Sequence, residues 1–318
     1  MKKEGITILV LSLIIILLIP STIMRWQKGE TLTGDFEIRV KMPNDKVETL
    51  ALEEYLVGVV AAEMPAEFNL EALKAQAVAA RTFAAKRISQ RSVSDPGYDV
   101  DTTVLTQAWI SDAQMKVKWG WWAYWRYHGQ IVNSVQSTKG QVLVANGQYI
   151  DAYYHSSSGR KSTERAEEVW SSARTYLQNV DSGEVNQTRF VKTYVFTPST
   201  LYQKLGLTIA PKAFIATDFV ISSQTAAGRA KDVRVLGKVY SAAQLRTLLG
   251  LASTDIELSI KPEEIQIKTY GNGHAVGMSQ YGANDLGKAG SSYQEILSHF
   301  YPGTQILSLS KESGSTNA

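Results

Sequence analysis

Residues 52–88 read LEEYLVGVVAAEMPAEFNLEALKAQAVAARTFAAKRI, and they predict two consecutive helices. The apolar run of residues 52–63 is typical of a helix, which Pro65 ends because proline lacks the N–H group that a continuing helix requires. Asn69 is a preferred N-cap residue, and the alanine-rich residues 70–88 strongly favour a second helix. The most strongly marked elements of the chain are therefore expected to be helical.

Outside this stretch, strand patterns and helix patterns follow one another irregularly. Residues 141–154 predict a β-hairpin, because Asn146-Gly147 tolerates the positive φ angles of a type I′ turn. The other predicted strands are residues 36–40, 190–196, 214–221, 230–236 and 256–268, and the other predicted helices are residues 113–135, 241–249 and 291–300. No βαβα alternation appears, so the predicted fold class is α+β, with mixed strands and helices forming a cleft-bearing domain.

The composition excludes several classes of protein. The chain has 318 residues, 33 Lys+Arg against 30 Asp+Glu, and no cysteine. Without cysteine there can be no disulfide framework, thiolate nucleophile or Cys-ligated zinc site. A hydrophobic fraction of 44% with 20% charged residues is typical of a globular protein. The net charge of +3 is too small for a protein whose main ligand is nucleic acid, so no nucleic-acid partner is expected.

The N-terminal residues differ from the rest in composition. Residues 6–24, ITILVLSLIIILLIPSTIM, carry no charge and would extend about 28 Å as a helix, close to the hydrocarbon thickness of a bilayer. A secretory signal peptide has a shorter apolar region and a small-residue cleavage site, which is not clear here. We therefore predict a single-pass protein of the cell membrane with most of its mass outside. Its predicted parts are a cytoplasmic N-terminus (1–5), a transmembrane anchor (6–24), a linker (25–35), an extracytoplasmic domain (36–310) and a frayed tail (311–318).

The first candidate functional residues lie around the two predicted helices. Glu63 follows an apolar run and precedes a helix stop, so we expect dry surroundings, which favour the neutral carboxylic acid that a general acid needs. Lys74 and Arg81 are seven residues apart, so both side chains leave the same face of the second helix. This cationic pair could hold an acidic or polyhydroxylated ligand, or it could pair with structural carboxylates.

A second set lies in residues 152–164, AYYHSSSGRKSTE, where a strand delivers His155 into a loop rich in serine and glycine that also carries Ser157 and Lys161. The G-x-S-x-G pattern of a serine nucleophile is absent. Hydroxyls and backbone N–H groups beside a histidine suit sugar hydroxyls, but such a turn can equally satisfy its own backbone.

A third set lies in residues 270–283, YGNGHAVGMSQYGA, which contain His274 and Gln280. The spacing matches neither a dinucleotide fingerprint nor a P-loop, and the glycines indicate a close approach of the backbone to a ligand or to the core. No zinc-binding motif supports His155 and His274 as metal ligands, so we expect at least one of them to be a core histidine.

An aromatic cluster holds five of the seven tryptophans: Trp109, Trp119, Trp121, Trp122, Tyr124, Trp125 and Tyr127. At such close spacing these side chains cannot all face one side of a helix. Packing in a core or an interface is therefore favoured over a platform on which sugars stack.

Three long stretches of the chain resemble one known family. They are residues 55–84 (YLVGVVAAEMPAEFNLEALKAQAVAARTFA), residues 137–170 (STKGQVLVANGQYIDAYYHSSSGRKSTERAEEVW) and residues 271–304 (GNGHAVGMSQYGANDLGKAGSSYQEILSHFYPGT). In this order they are similar to stage II sporulation protein D, the membrane-anchored peptidoglycan lytic transglycosylases of endospore-forming bacteria. The resemblance implies that Glu63 is the catalytic glutamate. The candidate substrate-binding residues are Lys74, Arg81, His155, Ser157, Lys161, His274 and Gln280, and the sequence leaves open which of them are scaffold.

The resemblance also implies a reaction. Such enzymes cleave the MurNAc-GlcNAc strands of septal peptidoglycan during engulfment, preferably after removal of the stem peptides. One glutamate suffices, since Glu63 would protonate the leaving oxygen and then take the proton of the C6 hydroxyl, which closes a 1,6-anhydro ring. No cofactor is implied. The implied partners are stage II sporulation protein P, an amidase and endopeptidase, and the membrane protein stage II sporulation protein M, at the septum on the mother-cell side.

Two other functions compete with this one. Relatives that share the motifs resemble amidase enhancers, which bind glycan without cleaving it and stimulate another hydrolase. An ordinary hydrolase built on Glu63 and Glu67 would leave reducing ends, although Pro65 makes a shared helical face unfavourable.

One segment departs from the family pattern. Some members carry zinc ligands in a stretch written D-V-C-x-x-x-H-C-Q, whereas residues 99–107 here read DVDTTVLTQ. Asp101 and Thr106 stand at the cysteine positions, and Leu105 stands at the histidine position. We therefore predict that this protein needs no zinc.

Overall fold

The computed structural model describes residues 36–91, 97–103, 106–170 and 172–309. The predicted N-terminus, anchor and linker (1–35) and the predicted tail (311–318) lie outside these residues. Within the described ranges, no helix combines the length and apolar character needed to cross a bilayer.

The described residues form helices and strands in irregular order. The helices are α1 (Leu52–Glu63), α2 (Leu70–Ser89), α3 (Asp112–Gln136), α4 (Ala166–Trp170), α5 (Pro198–Lys204), α6 (Ala242–Leu249), α7 (Gln280–Lys288) and α8 (Tyr293–Phe300). The strands are β1 (Glu37–Lys41), β2 (Val47–Ala51), β3 (Val100–Asp101), β4 (Gln141–Ala145), β5 (Gln148–Tyr149), β6 (Tyr154–His155), β7 (Val191–Phe196), β8 (Phe219–Gln224), β9 (Ala230–Val235), β10 (Lys238–Ser241), β11 (Asp255–Lys261), β12 (Glu264–Tyr270), β13 (Met278–Ser279) and β14 (Gln305–Ser308).

The strands form small sheets in the orders β2-β1-β3, β10-β9-β8, β11-β12-β7, β13-β6 and β14-β4-β5. The β1–β3 and β6–β13 pairs are parallel, and the other pairs are antiparallel. The predicted mixture of strands and helices is therefore confirmed for the described residues.

The two helices predicted from residues 52–88 are present with almost the predicted bounds. α1 ends at Glu63, and the next residue is already extended. The Asn69 side chain caps α2 by accepting a hydrogen bond from the Glu71 N–H at 2.9 Å. α2 is the central helix of the larger core, where its buried alanines let neighbouring helices approach closely.

The hairpin turn is confirmed, but its second arm ends at Tyr149 instead of Tyr154, which pairs with Met278. Two other predicted strands also need correction. Asn146 and Gly147 adopt φ values of 51° and 74° between β4 and β5, as a type I′ turn requires. Residues 256–268 are not one strand, because the chain reverses after Pro262, which cannot donate to a ladder, and forms the β11–β12 hairpin. β8 begins at Phe219 rather than at residue 214.

The aromatic cluster is divided between core and surface. Tyr124 is buried in the larger core, as the packing prediction requires. Trp121 and Trp122 are exposed, so they do not pack in the core, and packing in an interface stays a prediction for them. Gly120 explains the difference, since it leaves the helical conformation inside α3 with φ 70° and ψ 165° and changes the face that the following residues present.

Two hydrophobic clusters build the interior. The larger contains residues from 36–180 and 276–309, and the smaller contains residues from 194–267. Polar contacts join them: the Arg229 guanidinium donates to the Ser158 carbonyl at 2.7 Å, and Arg160 pairs with Asp255 at 2.9 Å. The predicted single extracytoplasmic domain (36–310) stays a prediction.

Candidate active site

Glu63 lies at the C-terminal end of α1, half-buried, with three hydrogen-bond donors around its carboxylate. The Ala108 N–H donates to Oε1 at 2.9 Å, and the side chains of Tyr154 and Gln280 also bond to it. Burial raises the pKa of Glu63, and these three hydrogen bonds oppose the rise. A carboxyl group in this setting can hold a proton and also persist as a carboxylate, which is what a group acting as acid and then as base must do.

Gly58 brings the first of these donors into position. A side chain at this residue of α1 would place its Cβ 2.1 Å from the Trp109 indole nitrogen. Because glycine leaves that space open, the segment that contains Ala108 and Trp109 runs directly along α1, and the Ile110 N–H donates to the Gly58 carbonyl at 3.3 Å. The backbone N–H of Ala108 thereby reaches Glu63 one helical turn further on.

Tyr154 reaches Glu63 from β6. Its hydroxyl accepts a hydrogen bond from Gln107 Nε2 at 3.3 Å, and Gln107 Oε1 accepts from the Tyr55 hydroxyl at 3.2 Å. Burial and the charge of Glu63 raise the pKa of Tyr154 well above its ordinary value. Tyr154 therefore stays protonated, and its hydroxyl donates a hydrogen bond to the Glu63 carboxylate.

Gln280 reaches Glu63 from the start of α7. The parallel pairing of β6 with β13 sets Met278 opposite Tyr154, so the first residue of α7 follows two positions later. The Gln280 amide is almost fully buried, and its Nε2 lies 3.4 Å from Gln76 Oε1 on α2. The motifs of residues 152–164 and 270–283 thus each supply a side chain that contacts Glu63, which lies in the first motif.

The groups that shift the pKa of Glu63 are all neutral. Among the described residues, neither a second carboxylate nor a cation is one of them. Glu67 instead hydrogen-bonds to Tyr127 of α3 and lies near Lys118. This arrangement does not favour a hydrolase built on Glu63 and Glu67.

Arg81 does not lie in a cleft. It has no exposed surface, and its guanidinium donates to both carboxylate oxygens of Glu53 at 2.9 and 2.6 Å and to the carbonyls of Val135 and Gln141. A fully buried group cannot contact a glycan strand, so the predicted substrate-binding role is corrected to a structural one. Arg81 joins α1, α2, α3 and β4.

Lys74 is also paired within the protein. Its ammonium donates to Glu71 Oε1 at 2.7 Å and lies 5.7 Å from the centre of the Tyr293 ring. The cationic pair that the sequence spacing indicates is therefore occupied by structural carboxylates at both positions.

His155 and Ser157 belong to a buried scaffold. His155 Nδ1 lies 3.2 Å from the Val276 carbonyl and Nε2 lies 2.7 Å from the Ser158 hydroxyl, while burial lowers the pKa of His155 well below its ordinary value. The Ser157 hydroxyl donates to Glu184, which also accepts from the Ser279 hydroxyl at 2.7 Å. His155 is thus a neutral core histidine. Glu184 connects the serine-rich loop after β6, which we call the serine loop, to Ser279 of β13.

Lys161 and His274 hold other parts of the scaffold. Lys161 donates to the Gly228 carbonyl and lies 3.7 Å from Asp255, on the side of the smaller core. His274 Nδ1 accepts from the Val276 N–H at 3.1 Å, and burial and the nearby Arg246 guanidinium lower the pKa of His274 to about 4. Of the predicted residues, the structure brings Gln280 to Glu63, and it separately places the His155 and His274 rings with their centres 5.7 Å apart.

The glycines of the third motif serve the core rather than a ligand. A Cβ at Gly271 would lie 2.8 Å from the Ser157 carbonyl, and one at Gly159 would lie 2.7 Å from the Gly271 nitrogen. These contacts allow the serine loop and the residue 270–283 motif to pack backbone against backbone.

Sequence reasoning missed Tyr154, Gln107 and Gln76. A signal for Tyr154 was available, because it directly precedes the candidate His155 on the predicted strand and successive residues of a strand point to opposite faces. Gln107 is the last residue of the D-V-C-x-x-x-H-C-Q pattern, but no local pattern indicates that Gln107 contacts Tyr154 or that Gln76 contacts Gln280.

The segment that carries zinc ligands in some relatives is closed by hydrogen bonds here. The Thr106 hydroxyl lies 2.9 Å from Asp101 Oδ1 and 3.0 Å from the Asp101 carbonyl, and the Thr103 N–H donates to the same carboxylate. Leu105 lies outside the described residues. Among the described residues, no group of three or more His, Asp or Glu side chains could hold a metal. The residues present do not fit a thiolate-type zinc site.

If this protein cleaves glycan, as the resemblance implies, we expect the reaction to be insensitive to chelators, because Asp101 and Thr106 close this loop without a metal. The measurement compares the rate before and after dialysis against EDTA. A loss of activity that added zinc restores would contradict the prediction.

We expect Tyr154→Phe to slow turnover about tenfold, which matches the loss of one hydrogen bond to a charged group. Since the Tyr154 hydroxyl stabilises the carboxylate, its loss raises the pKa of Glu63, and the fall in rate at alkaline pH should move to higher pH. The rate is measured against pH. Tyr153→Phe is the control because Tyr153 packs on Trp170 instead. An unchanged pH profile in Tyr154→Phe would contradict the assignment.

The fold and site define a class: α+β proteins in which one half-buried carboxylate, at a helix end, is held by neutral donors from three separate segments. Comparison with known proteins agrees with the resemblance seen in the motifs. A family model described as stage II sporulation protein matches residues 42–144. This chain belongs to the stage II sporulation protein D family, a family of sporulation proteins.

Three relatives show the extent of the similarity. Stage II sporulation protein D of Bacillus subtilis (strain 168) is 40% identical over 266 residues, which cover 83% of this chain and 76% of the relative. Stage II sporulation protein D of Bacillus amyloliquefaciens is 39% identical with the same coverage. The amidase enhancer of Bacillus subtilis (strain 168) is 30% identical over 305 residues, covering 80% of this chain and 40% of that protein.

Proposed function

We propose that this protein is a lytic transglycosylase that cleaves the MurNAc-GlcNAc strands of septal peptidoglycan, after their stem peptides have been removed, and leaves 1,6-anhydroMurNAc ends. The observation that carries the proposal is the isolation of Glu63 as a half-buried carboxyl group surrounded by neutral donors. A glycosidase that uses water needs a second carboxylate at a defined separation from the first. A transglycosylase does not, because the sugar supplies the nucleophile.

In the first step, Glu63 enters as the neutral acid that burial favours. It gives its proton to the glycosidic oxygen, the bond from C1 of MurNAc to that oxygen breaks, and the leaving GlcNAc receives a hydroxyl. Positive charge develops at C1 and its ring oxygen, beside the carboxylate that has just formed.

In the second step, the Glu63 carboxylate takes the proton of the C6 hydroxyl of the same MurNAc, and the C6 oxygen bonds to C1. The glutamate returns to its acid form, and no water is consumed. The donors from Ala108, Tyr154 and Gln280 stabilise the carboxylate between the two steps. A permanently protonated Tyr154 suits this role because it cannot compete for the proton.

A second candidate is a glycan-binding enhancer that stimulates a partner amidase without cleaving the strand. The 30% identity to an amidase enhancer favours it. Glu63 and the side chains around it could serve either function, so the products decide between them.

The location and partners follow as further parts of the proposal. Residues 6–24 would anchor the protein in the cell membrane, with the described residues outside and facing the septum from the mother-cell side. Stage II sporulation protein P would remove the stem peptides from the strands, and stage II sporulation protein M would be the membrane partner.

The experiment incubates the full chain with peptide-free glycan strands and analyses the products by mass spectrometry. Anhydro ends that accumulate with time are the expected result. Intact strands, together with stimulation of an added amidase, would establish the enhancer instead.

A further inference from the structure

One side of α3 exposes a group of large apolar side chains, which we call the tryptophan face: Val117, Trp121, Trp122 and Trp125. Their exposed fractions are 86%, 64%, 92% and 39%. Exposed apolar side chains scattered singly are normal, but four within nine residues of one helix, two of them in ring contact, are typical of an interaction surface. The reaction proposed for Glu63 makes no use of it.

The helix geometry separates this face from the core. After the break at Gly120, Tyr124 and Ile131 point inward and are buried. Trp121, Trp122 and Trp125 are spaced by one and three residues, so they lie within about 100° of one another around the helix, on its exposed side. The sequence therefore places indole rings in solvent at positions where the fold does not need them.

Cationic side chains border the tryptophan face. Lys116 and Arg126 are exposed on the same helix, and Lys118 donates to the Ala61 carbonyl at 2.9 Å. The acidic residues beside them are Asp112, which pairs with Lys116 at 2.6 Å, and Glu67, which lies near Lys118. Tryptophans bordered by lysine and arginine are characteristic of segments that lie in the interface of a bilayer.

We propose that the tryptophan face rests in the headgroup region of the same bilayer that residues 6–24 span. The inference relies on the proposed anchor and goes beyond the proposed reaction. Indole rings prefer this region because they are apolar with one polar N–H, and the cations favour anionic lipid headgroups.

The length of the connecting chain permits this contact. Residues 25–35 can span at most about 38 Å, since an extended chain advances about 3.5 Å per residue. The turn that follows β1 lies against the start of α3, where Pro43 and Ser111 line one shallow cavity. From the end of the linker to the tryptophan face, the five residues of β1 and the first turns of α3 each contribute only about 15–17 Å. The linker is therefore long enough for the anchor and the tryptophan face to reach the same membrane.

Two other occupants fit the observations less well. Trp121 and Trp125 meet edge to face, with ring centres 5.9 Å apart and planes at 89°, so they do not form the flat platform on which sugar rings stack. A second copy of the chain on a twofold axis would bring the same lysines and arginine together, and like charges oppose such contact.

The contact would have a consequence for catalysis. Lys118 is bonded to Ala61, in the helical turn that ends at Glu63. A bilayer held at the tryptophan face would keep Glu63 at a fixed distance from the membrane surface and direct it to the nearest glycan strands.

The test uses the absence of cysteine from the chain. Full-length Trp122→Cys carries an environment-sensitive fluorophore and is reconstituted into vesicles of phosphatidylcholine with about one third phosphatidylglycerol. Val239→Cys, on an exposed residue of β10, is the matched control. We expect the label at residue 122 to shift to shorter wavelength and to be quenched several times more strongly by spin-labelled lipid than the control label.

Each other outcome overturns the inference in a distinguishable way. If the chain floats with the vesicles but both labels stay equally accessible to aqueous iodide, the anchor stands and the bilayer contact fails. If the chain does not float with the vesicles, both the proposed anchor and the proposed bilayer contact are contradicted. A shift caused by glycan strands without lipid would assign the face to substrate, and a shift that depends on protein concentration would assign it to a second copy. Anhydro ends measured in the same samples test the proposed reaction separately.

Discussion

Glu63→Gln is expected to abolish glycan cleavage, with a loss of about 10²–10⁴-fold from the removal of one acid–base group. The amide keeps the shape of the side chain and an oxygen that can accept from the Ala108 N–H, but it cannot exchange a proton with substrate. Thermal unfolding should therefore change little. The rate is measured as anhydro ends formed per unit time, and the unfolding midpoint is measured on the same preparation.

Glu67→Gln is the matched control for this prediction. Glu67 lies four residues further on and is exposed, with Tyr127 and Lys118 as its neighbours. We expect its rate to stay near that of the wild type, because exposed residues away from a site usually tolerate substitution. Equal losses in both variants would contradict the single-carboxylate site, as would a Glu63→Gln variant that still cleaves.

Arg81→Met is expected to have the largest effect on stability. It leaves Glu53 buried without its partner, a change that costs about 3–5 kcal/mol in comparable buried pairs. The Val135 and Gln141 carbonyls lose donors as well. The free energy of unfolding is measured by urea titration.

Two variants control for the nature of this effect. Lys74→Met removes a partly exposed pair with Glu71 and should cost less than about 1 kcal/mol. The double substitution Glu53→Leu with Arg81→Met should recover part of the stability, because no buried charge is then left alone. If Arg81→Met were as stable as the wild type but failed to bind glycan, Arg81 would be a substrate residue after all.

Strong local signals made α1 and α2 predictable. Pro65 ends the first helix, and Asn69 begins the second with a side-chain hydrogen bond, so both boundaries depend on residues close in sequence. The hairpin at Asn146-Gly147 was predictable for the same reason. The β11–β12 hairpin was predicted as one strand because apolar and polar residues alternate in both arms and Pro262 was not treated as a turn.

The candidate site was predictable only in part, because it depends on long-range contacts. Glu63 and Gln280 lie in motifs that the sequence marks. The role of Tyr154 depends on the long-range pairing of β6 with β13, which directs the Tyr154 hydroxyl towards α1. Arg81 shows the reverse case, since its position on the alanine-rich helix suggested a ligand, whereas its partner Glu53 lies one helix away.

The central claim is that Glu63 performs both proton transfers while the C6 hydroxyl of the substrate, rather than water, attacks C1. The most direct measurement runs the reaction on peptide-free glycan strands in water enriched with ¹⁸O and analyses the new ends by mass spectrometry. Attack by the C6 hydroxyl gives 1,6-anhydro ends that contain no ¹⁸O. Reducing ends that carry ¹⁸O would show that water attacks C1 and would contradict this claim.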